Sequence, residues 1–198
     1  MGQEKKVDYR FKILYAVGII IVVAYHCYGG SINLFKDWFP YEVFTLPMFV
    51  FCSGYFYKSR AEENLPKYYL KKFLSLIVPL YIGTVVYGLL VQVSRLAGFE
   101  IGGEFTLTNV LVQPIINGHE FIYNLGSWFL VPLFMIEIYN VTFRKLVHLI
   151  YRDMPEWFFF AVNLALGILG NNLACKGLNT GWWLVLVRML YLLSFYEL

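Results

Sequence analysis

Charge is what this sequence has least of. Charged residues fill 15% of its 198 positions, against 59% hydrophobic and 20% aromatic. A soluble domain carries about 25% charged residues, so this balance excludes an ordinary water-soluble globule and points into a bilayer. The net charge of +3 is too small to indicate a nucleic-acid partner. Cysteine is scarce too. Cys27, Cys52 and Cys175 are odd in number and lack any CxxC or Cys/His spacing, so neither a disulfide nor a metal site is expected. Two of them lie in apolar runs, where a thiol acts as a small hydrophobe. There is no GxSxG, no P-loop and no HExxH, which leaves soluble serine, phosphoryl-transfer and zincin chemistry unsupported. The first apolar run has a basic flank but no A-x-A site after it, so it reads as an uncleaved signal anchor. No internal repeat is visible, which weighs against an inverted-repeat transporter.

What is present in quantity is apolar sequence of membrane-spanning length. A transmembrane helix needs about 20 largely apolar residues. Six stretches approach this: Ile13–Asn33, Phe39–Tyr57, Phe73–Val93, Trp128–Phe143, Trp157–Gly170 and Trp182–Tyr196. The fold class expected is therefore all-α, a polytopic bundle of about six spans forming one domain over residues 1–198. With the N-terminus placed in the cytoplasm, the inner segments hold Lys5, Lys6, Arg10, Lys12, Lys58, Arg60, Lys67, Lys71, Lys72, Arg144, Lys145 and Arg152. The outer loops hold only Lys36, Arg95 and Lys176, which is a strong positive-inside bias. Trp38, Trp128 and Trp182 at outer boundaries and Trp157 at an inner one match an aromatic belt. The outer segment Ser94–Ser127 contains TLTNVLVQPIIN, too short to cross. It reads either as a re-entrant or interfacial helix capped at Thr106 or Thr108, or as a simple surface loop.

Three ionisable residues within the spans carry the functional reading. His26 lies 13 residues after Ile13, roughly 20 Å into the first helix. An ionisable side chain at membrane depth is expensive to keep and marks a functional site by default. Its unperturbed pKa near 6.5 suits a general base or acyl carrier; the competing reading is a neutral histidine bonded to a neighbouring helix. Glu137 falls nine residues past Trp128, and Arg188 six past Trp182. They either line a polar cavity, with Arg188 holding an anionic or carbonyl group, or pair with each other. The inner segment KSRAEENLPKYYLKK has charges suited to the phosphates of a coenzyme A donor, although positive-inside sorting alone accounts for them.

The runs ILYAVGIIIVVAYH, TLPMFVFCSGYFYK and KKFLSLIVPLY resemble the N-terminal part of the membrane acyltransferase family 3, which includes bacterial O-acetylases of surface sugars. Pro47, Phe49, Ser53, Gly54, Tyr55 and Pro79 fill that pattern, and GSWFLVPLF at Gly126–Phe134 is similar to its later "WFL" element. The resemblance covers Tyr9–Phe143. It implies an integral plasma-membrane enzyme that moves an acyl group, usually acetyl, from cytoplasmic acetyl-CoA to a sugar hydroxyl of a lipid-linked or exported glycan. It implies His26 as the catalytic residue; Arg188 and Glu137, from the charges within the spans, join Ser53 and Lys12 as candidate substrate-binding residues. Membrane lipids are expected partners and nucleic acid is not. Two positions depart from the pattern: Tyr15 stands where a basic residue is usual, with Lys12 nearest to replace it, and Thr45 stands where a histidine is usual. The family has about ten spans, so the chain reads as an N-terminal portion. The alternatives are a polysaccharide-export component and an inactive membrane fragment.

Overall fold

The computed structural model describes residues 9–26, 41–99, 102–117 and 122–198. It is a helix bundle, and no strand occurs among the described residues. Helix α1 spans Tyr9–His26 and α2 spans Tyr41–Tyr55. The two run antiparallel. Phe11 stacks on Tyr55 at 4.4 Å, Tyr15 meets Phe49 at 5.6 Å, and Gly18 abuts Met48. Pro47 lies inside α2, a placement that membrane helices tolerate when neighbours satisfy the freed backbone.

After a short 3₁₀ turn at Ser59–Glu63, α3 runs Leu65–Lys72, a π-helical turn follows at Phe73–Ile77, and α4 runs Val78–Leu96. Asn64 starts α3 by accepting the Lys67 N–H at 3.0 Å, with Pro66 in the first turn. The π turn has a local cause. Pro79 has no N–H, and its ring would crowd the carbonyl four residues back. The chain widens just before it, so that the Val78 N–H reaches the carbonyl of Phe73. The same device recurs before Pro114, where a π turn at Thr108–Val112 leads into α5, Gln113–Ile116. Thr106 caps this segment by accepting the Asn109 N–H at 3.1 Å. The TLTNVLVQPIIN stretch is therefore a short helix, and it packs against α4 and the last helix.

A 3₁₀ turn at Leu125–Phe129 leads into α6, Leu130–Ile150; α7 is Glu156–Cys175 and α8 is Gly181–Leu193. Helices α7 and α8 pack through small residues. A Cβ on Gly170 would lie 2.7 Å from Leu190 Cβ, and one on Gly167 would lie 2.9 Å from Ser194 Cβ.

Among the described residues, three helices are long and apolar enough to cross a membrane: Leu65–Leu96, Gly126–Ile150 and Glu156–Cys175. Only 17%, 39% and 22% of their apolar windows are buried within the protein, so most of that surface faces outward, as a lipid-bathed bundle requires. Phe44–Tyr55 and Gly181–Leu193 are shorter apolar helices. The helices do not end where apolarity alone placed their limits. The one expected over Trp128–Phe143 continues to Ile150 and carries Arg144 with it, and the one expected from Phe73 begins at Leu65 and carries Lys72. Hydrogen bonding continues a helix past the last apolar residue, so buried charge enters the bundle on regular helix. The part of the first expected span beyond His26 lies outside the described residues.

The antiparallel packing sorts the charges. Arg10, Lys12, Lys58, Arg60, Lys67, Lys71, Arg144, Lys145 and Arg152 gather toward the end where α1 begins and α6 finishes, whereas Arg95 and Lys176 lie at the other end.

Candidate active site

Glu137 is the centre of the bundle's polar interior. It lies in α6, nine residues past Trp128 or about 13 Å along the axis, and is 1% exposed. A carboxylate there is stable only if its charge is matched and its oxygens are bonded. Four side chains do this. The Lys72 ammonium lies 2.5 Å from Oε1, and the Ser53 hydroxyl donates to the same oxygen. The hydroxyls of Tyr68 and Tyr196 donate to Oε2, Tyr196 at 3.0 Å. Tyr68 and Lys72 stand one turn apart on α3, which places both on one face. Their mutual contact, 5.4 Å from the ammonium to the ring centre, holds the pair together.

Ser53 reaches the cluster because of its neighbour. A Cβ on Gly54 would lie 1.7 Å from the Tyr196 carbonyl oxygen, so only glycine allows α2 this close to the end of the chain. Tyr15 faces the same group from α1, within electrostatic reach of Glu137 and Cys52.

A second polar cluster lies further along α6. Arg144, seven residues or about 10 Å from Glu137, is 6% exposed. It grips Glu156 with two bonds, 2.6 and 3.2 Å, and Glu197 with two more, 2.6 and 3.4 Å. Its guanidinium also stacks 4.3 Å over Phe159 and 5.2 Å from the Tyr57 ring. Burial pushes the Glu197 carboxyl above its usual value, against the pull of Arg144. Beside this cluster Tyr57 donates to Glu62 at 2.8 Å, and His148 Nδ1 lies 2.8 Å from the other oxygen of Glu62. No group of three or more His, Cys, Asp or Glu residues suited to a metal ion occurs among the described residues. An open groove of about 460 Å³ on α6 is lined by Phe134, Ile138, Thr142 and Met189, without a charged residue. The acid–base and hydrogen-bonding groups are in the enclosed clusters instead.

Comparison with known families decides what this bundle is. The family model for the acyltransferase 3 domain matches residues 8–196. The chain belongs to the acyltransferase 3 family. Its domain is thus of the acyl-transferring kind, built on membrane helices. No curated protein and no solved structure matches the chain. The family match runs well beyond Tyr9–Phe143 and takes in α7, α8 and Tyr196.

Within this acyltransferase domain, the candidate residues separate into groups. Ser53 and Glu137 are brought into direct contact. Glu137 is ion-paired with Lys72 rather than with Arg188. Arg188 stacks 3.9 Å over the Trp128 ring, toward the end of α6 away from Arg144. Lys12 lies 5.6 Å from the ring of Tyr9 and is not among the partners of Glu137. His26 is the last residue of α1, eleven positions from Tyr15 and so on the same helical face, about 16 Å further along; its side chain lies outside the described residues. Position 15 itself is a tyrosine, and Lys72 brings a positive charge from α3 to the Glu137 group that Tyr15 faces.

Sequence reasoning missed Tyr68, Lys72, Tyr196, Arg144 and Glu197. Lys72 and Arg144 look in sequence like ordinary inner-loop charges, and the tyrosines like belt residues. The available signal was the spacing of Tyr68 and Lys72, one turn apart on a helix with an apolar opposite side.

Proposed function

We propose that the protein is an integral plasma-membrane O-acyltransferase that moves an acyl group, acetyl foremost, from acyl-CoA to a sugar hydroxyl of a cell-surface or exported polysaccharide. The observation that carries this reading is the buried Glu137 cluster inside a domain of the acyltransferase 3 family. A closed set of one carboxylate, one ammonium and three hydroxyls is costly to maintain in a membrane, and such groups are characteristic of working sites there.

In this reading His26 takes the proton of the acceptor hydroxyl. The sugar oxygen then attacks the thioester carbonyl carbon, the carbon–sulfur bond breaks, and the departing thiolate of coenzyme A receives the proton. Alternatively, the imidazole first takes the acyl group and passes it to the sugar oxygen. The basic end faces the cytoplasm in this reading, and Lys12 and its neighbours there meet the donor phosphates. Arg188, held flat on Trp128, presents its guanidinium to a carbonyl or anionic group. Ser53 and Glu137 form the rigid floor beneath the face of α1 that carries Tyr15 and His26.

Replacing His26 with Ala is expected to abolish glycan acetylation while membrane levels of the protein stay normal. Acetylation that persists at the wild-type rate would remove His26 from the chemistry.

A further inference from the structure

Between the two charged clusters lies a stretch of α6 whose polar group has nothing to bond. Asn140 is fully buried, and neither its amide nitrogen nor its amide oxygen has a hydrogen-bond partner among the described residues. Its place is well defined. Glu137 is one turn before it and Arg144 one turn after, so all three lie on one face of the helix. The neighbouring residues Tyr196 and Glu197 bond to Glu137 and to Arg144 respectively, so the end of the chain flanks the interval that Asn140 occupies. Asn163 of α7 reaches the same interval. It is fully buried and donates to Glu197 at 3.3 Å, and its carbonyl oxygen also has no partner. Three orphaned polar atoms therefore fall between two carboxyl groups whose levels on α6 are about 10 Å apart. Buried amides left this way are rare, and ordered water is the usual partner of such groups where there is room for it.

We propose that Asn140 and Asn163 hold ordered water in a seam between Glu137 and Glu197, and that this seam passes protons between the two carboxyl groups. It stands apart from the acyl-transfer reading, because hydration and proton exchange are observable without any substrate. The charge count points to where the proton of this proposal resides. Arg144 carries one positive charge and faces two carboxylates, which leaves one excess negative charge. Glu156 is largely exposed and keeps its charge in solvent, whereas Glu197 is buried and is the acid that takes the proton. The other ionisable groups around Glu197 are Tyr57, Tyr139 and Tyr196; around Glu137 they are Lys72, Tyr68, Tyr196 and Tyr15. In the transfer, the acid O–H of Glu197 breaks as its proton joins the adjacent water. That water releases a different proton to the Tyr196 hydroxyl, whose own proton passes along its existing bond to Glu137, so that an O–H bond forms on the Glu137 carboxylate and Tyr196 ends neutral. Nothing is oxidised or reduced, and one proton has moved.

Two measurements on the full chain in lipid nanodiscs test this. X-ray hydroxyl-radical footprinting in isotopically labelled water labels residues that touch bound water. Tyr196 should be labelled several-fold faster in the wild type than in Asn140→Leu, which fills the seam with an isosteric apolar group. Infrared spectroscopy follows the protonated carboxyl band that disappears in Glu197→Gln. In the wild type this band should shift promptly on transfer to heavy water, and several-fold more slowly in Asn140→Leu or, should that variant not fold, in Asn163→Leu. A Tyr196 that stays unlabelled in the wild type, or a band that exchanges equally slowly with and without the asparagine, would overturn the proposal.

Discussion

The Lys72–Glu137 pair makes the sharpest demand on this structure. Glu137 is 1% exposed, and the Lys72 side chain retains 23% exposure. Replacing Lys72 with Met keeps the length of the stem and removes the charge, leaving a buried carboxylate bonded only by Ser53, Tyr68 and Tyr196. Breaking a buried ion pair from one side costs about 3–5 kcal/mol. The three hydroxyl donors keep the loss toward the lower end, at about 3 kcal/mol. For a chain of this size that corresponds to a fall in Tm of about 6–12 °C. The opposite deletion should cost less. Glu137→Gln retains an acceptor for the tyrosines, and the partly exposed Lys72 can move its ammonium outward on a flexible stem; about 1–2 kcal/mol is expected. The double variant Lys72→Met/Glu137→Gln removes both charges and should recover much of the Lys72→Met loss, because no uncompensated buried charge remains. Thermal unfolding in detergent, followed by tryptophan fluorescence, gives all four corners of the cycle. A Lys72→Met protein within about 1 kcal/mol of the wild type, or strictly additive losses, would refute the argument that this pair is buried and coupled.

Two further outcomes follow from the packing and the second cluster. Gly54→Ala would push a methyl group to 1.7 Å from the Tyr196 carbonyl oxygen, a backbone atom that cannot rotate away, so α2 must separate from the chain end. A loss of about 3 kcal/mol or failure to accumulate in the membrane is expected, and normal expression with unchanged Tm would contradict this close approach. Glu197 provides a pH test. Its carboxyl is held above the ordinary 4.5, so the folded state binds that proton more tightly than the unfolded chain does. Its stabilising contribution is present below the ordinary value and is lost as pH rises through the raised one. Glu197→Gln should flatten that decline in a plot of Tm against pH, and an unaltered slope would show that another group causes it.

The sequence by itself determined the environment of this protein. Apolarity is a local property, counted residue by residue against the thickness of a bilayer, so the all-helical class and the approximate position of each helix follow from it. The motif order from ILYAVGIIIVVAYH to GSWFLVPLF was also readable, and it led to the acyltransferase 3 family that the match over residues 8–196 shows. Capping by a threonine, Thr106 or Thr108, was legible for the same local reason, since a threonine ahead of an apolar run bonds its own helix start, and the structure selects Thr106. Glu137 was visible as a buried charge, but its partner was not. Lys72 is 65 residues away in sequence, and a charge near a helix start looks the same whether lipid headgroups or a carboxylate receive it. Only the tertiary structure decided that α3 turns Tyr68 and Lys72 inward, that Gly54 admits the end of the chain, and that Arg188 rests on Trp128. Those choices are made by packing between distant helices, where a difference of one turn in register exchanges one partner for another.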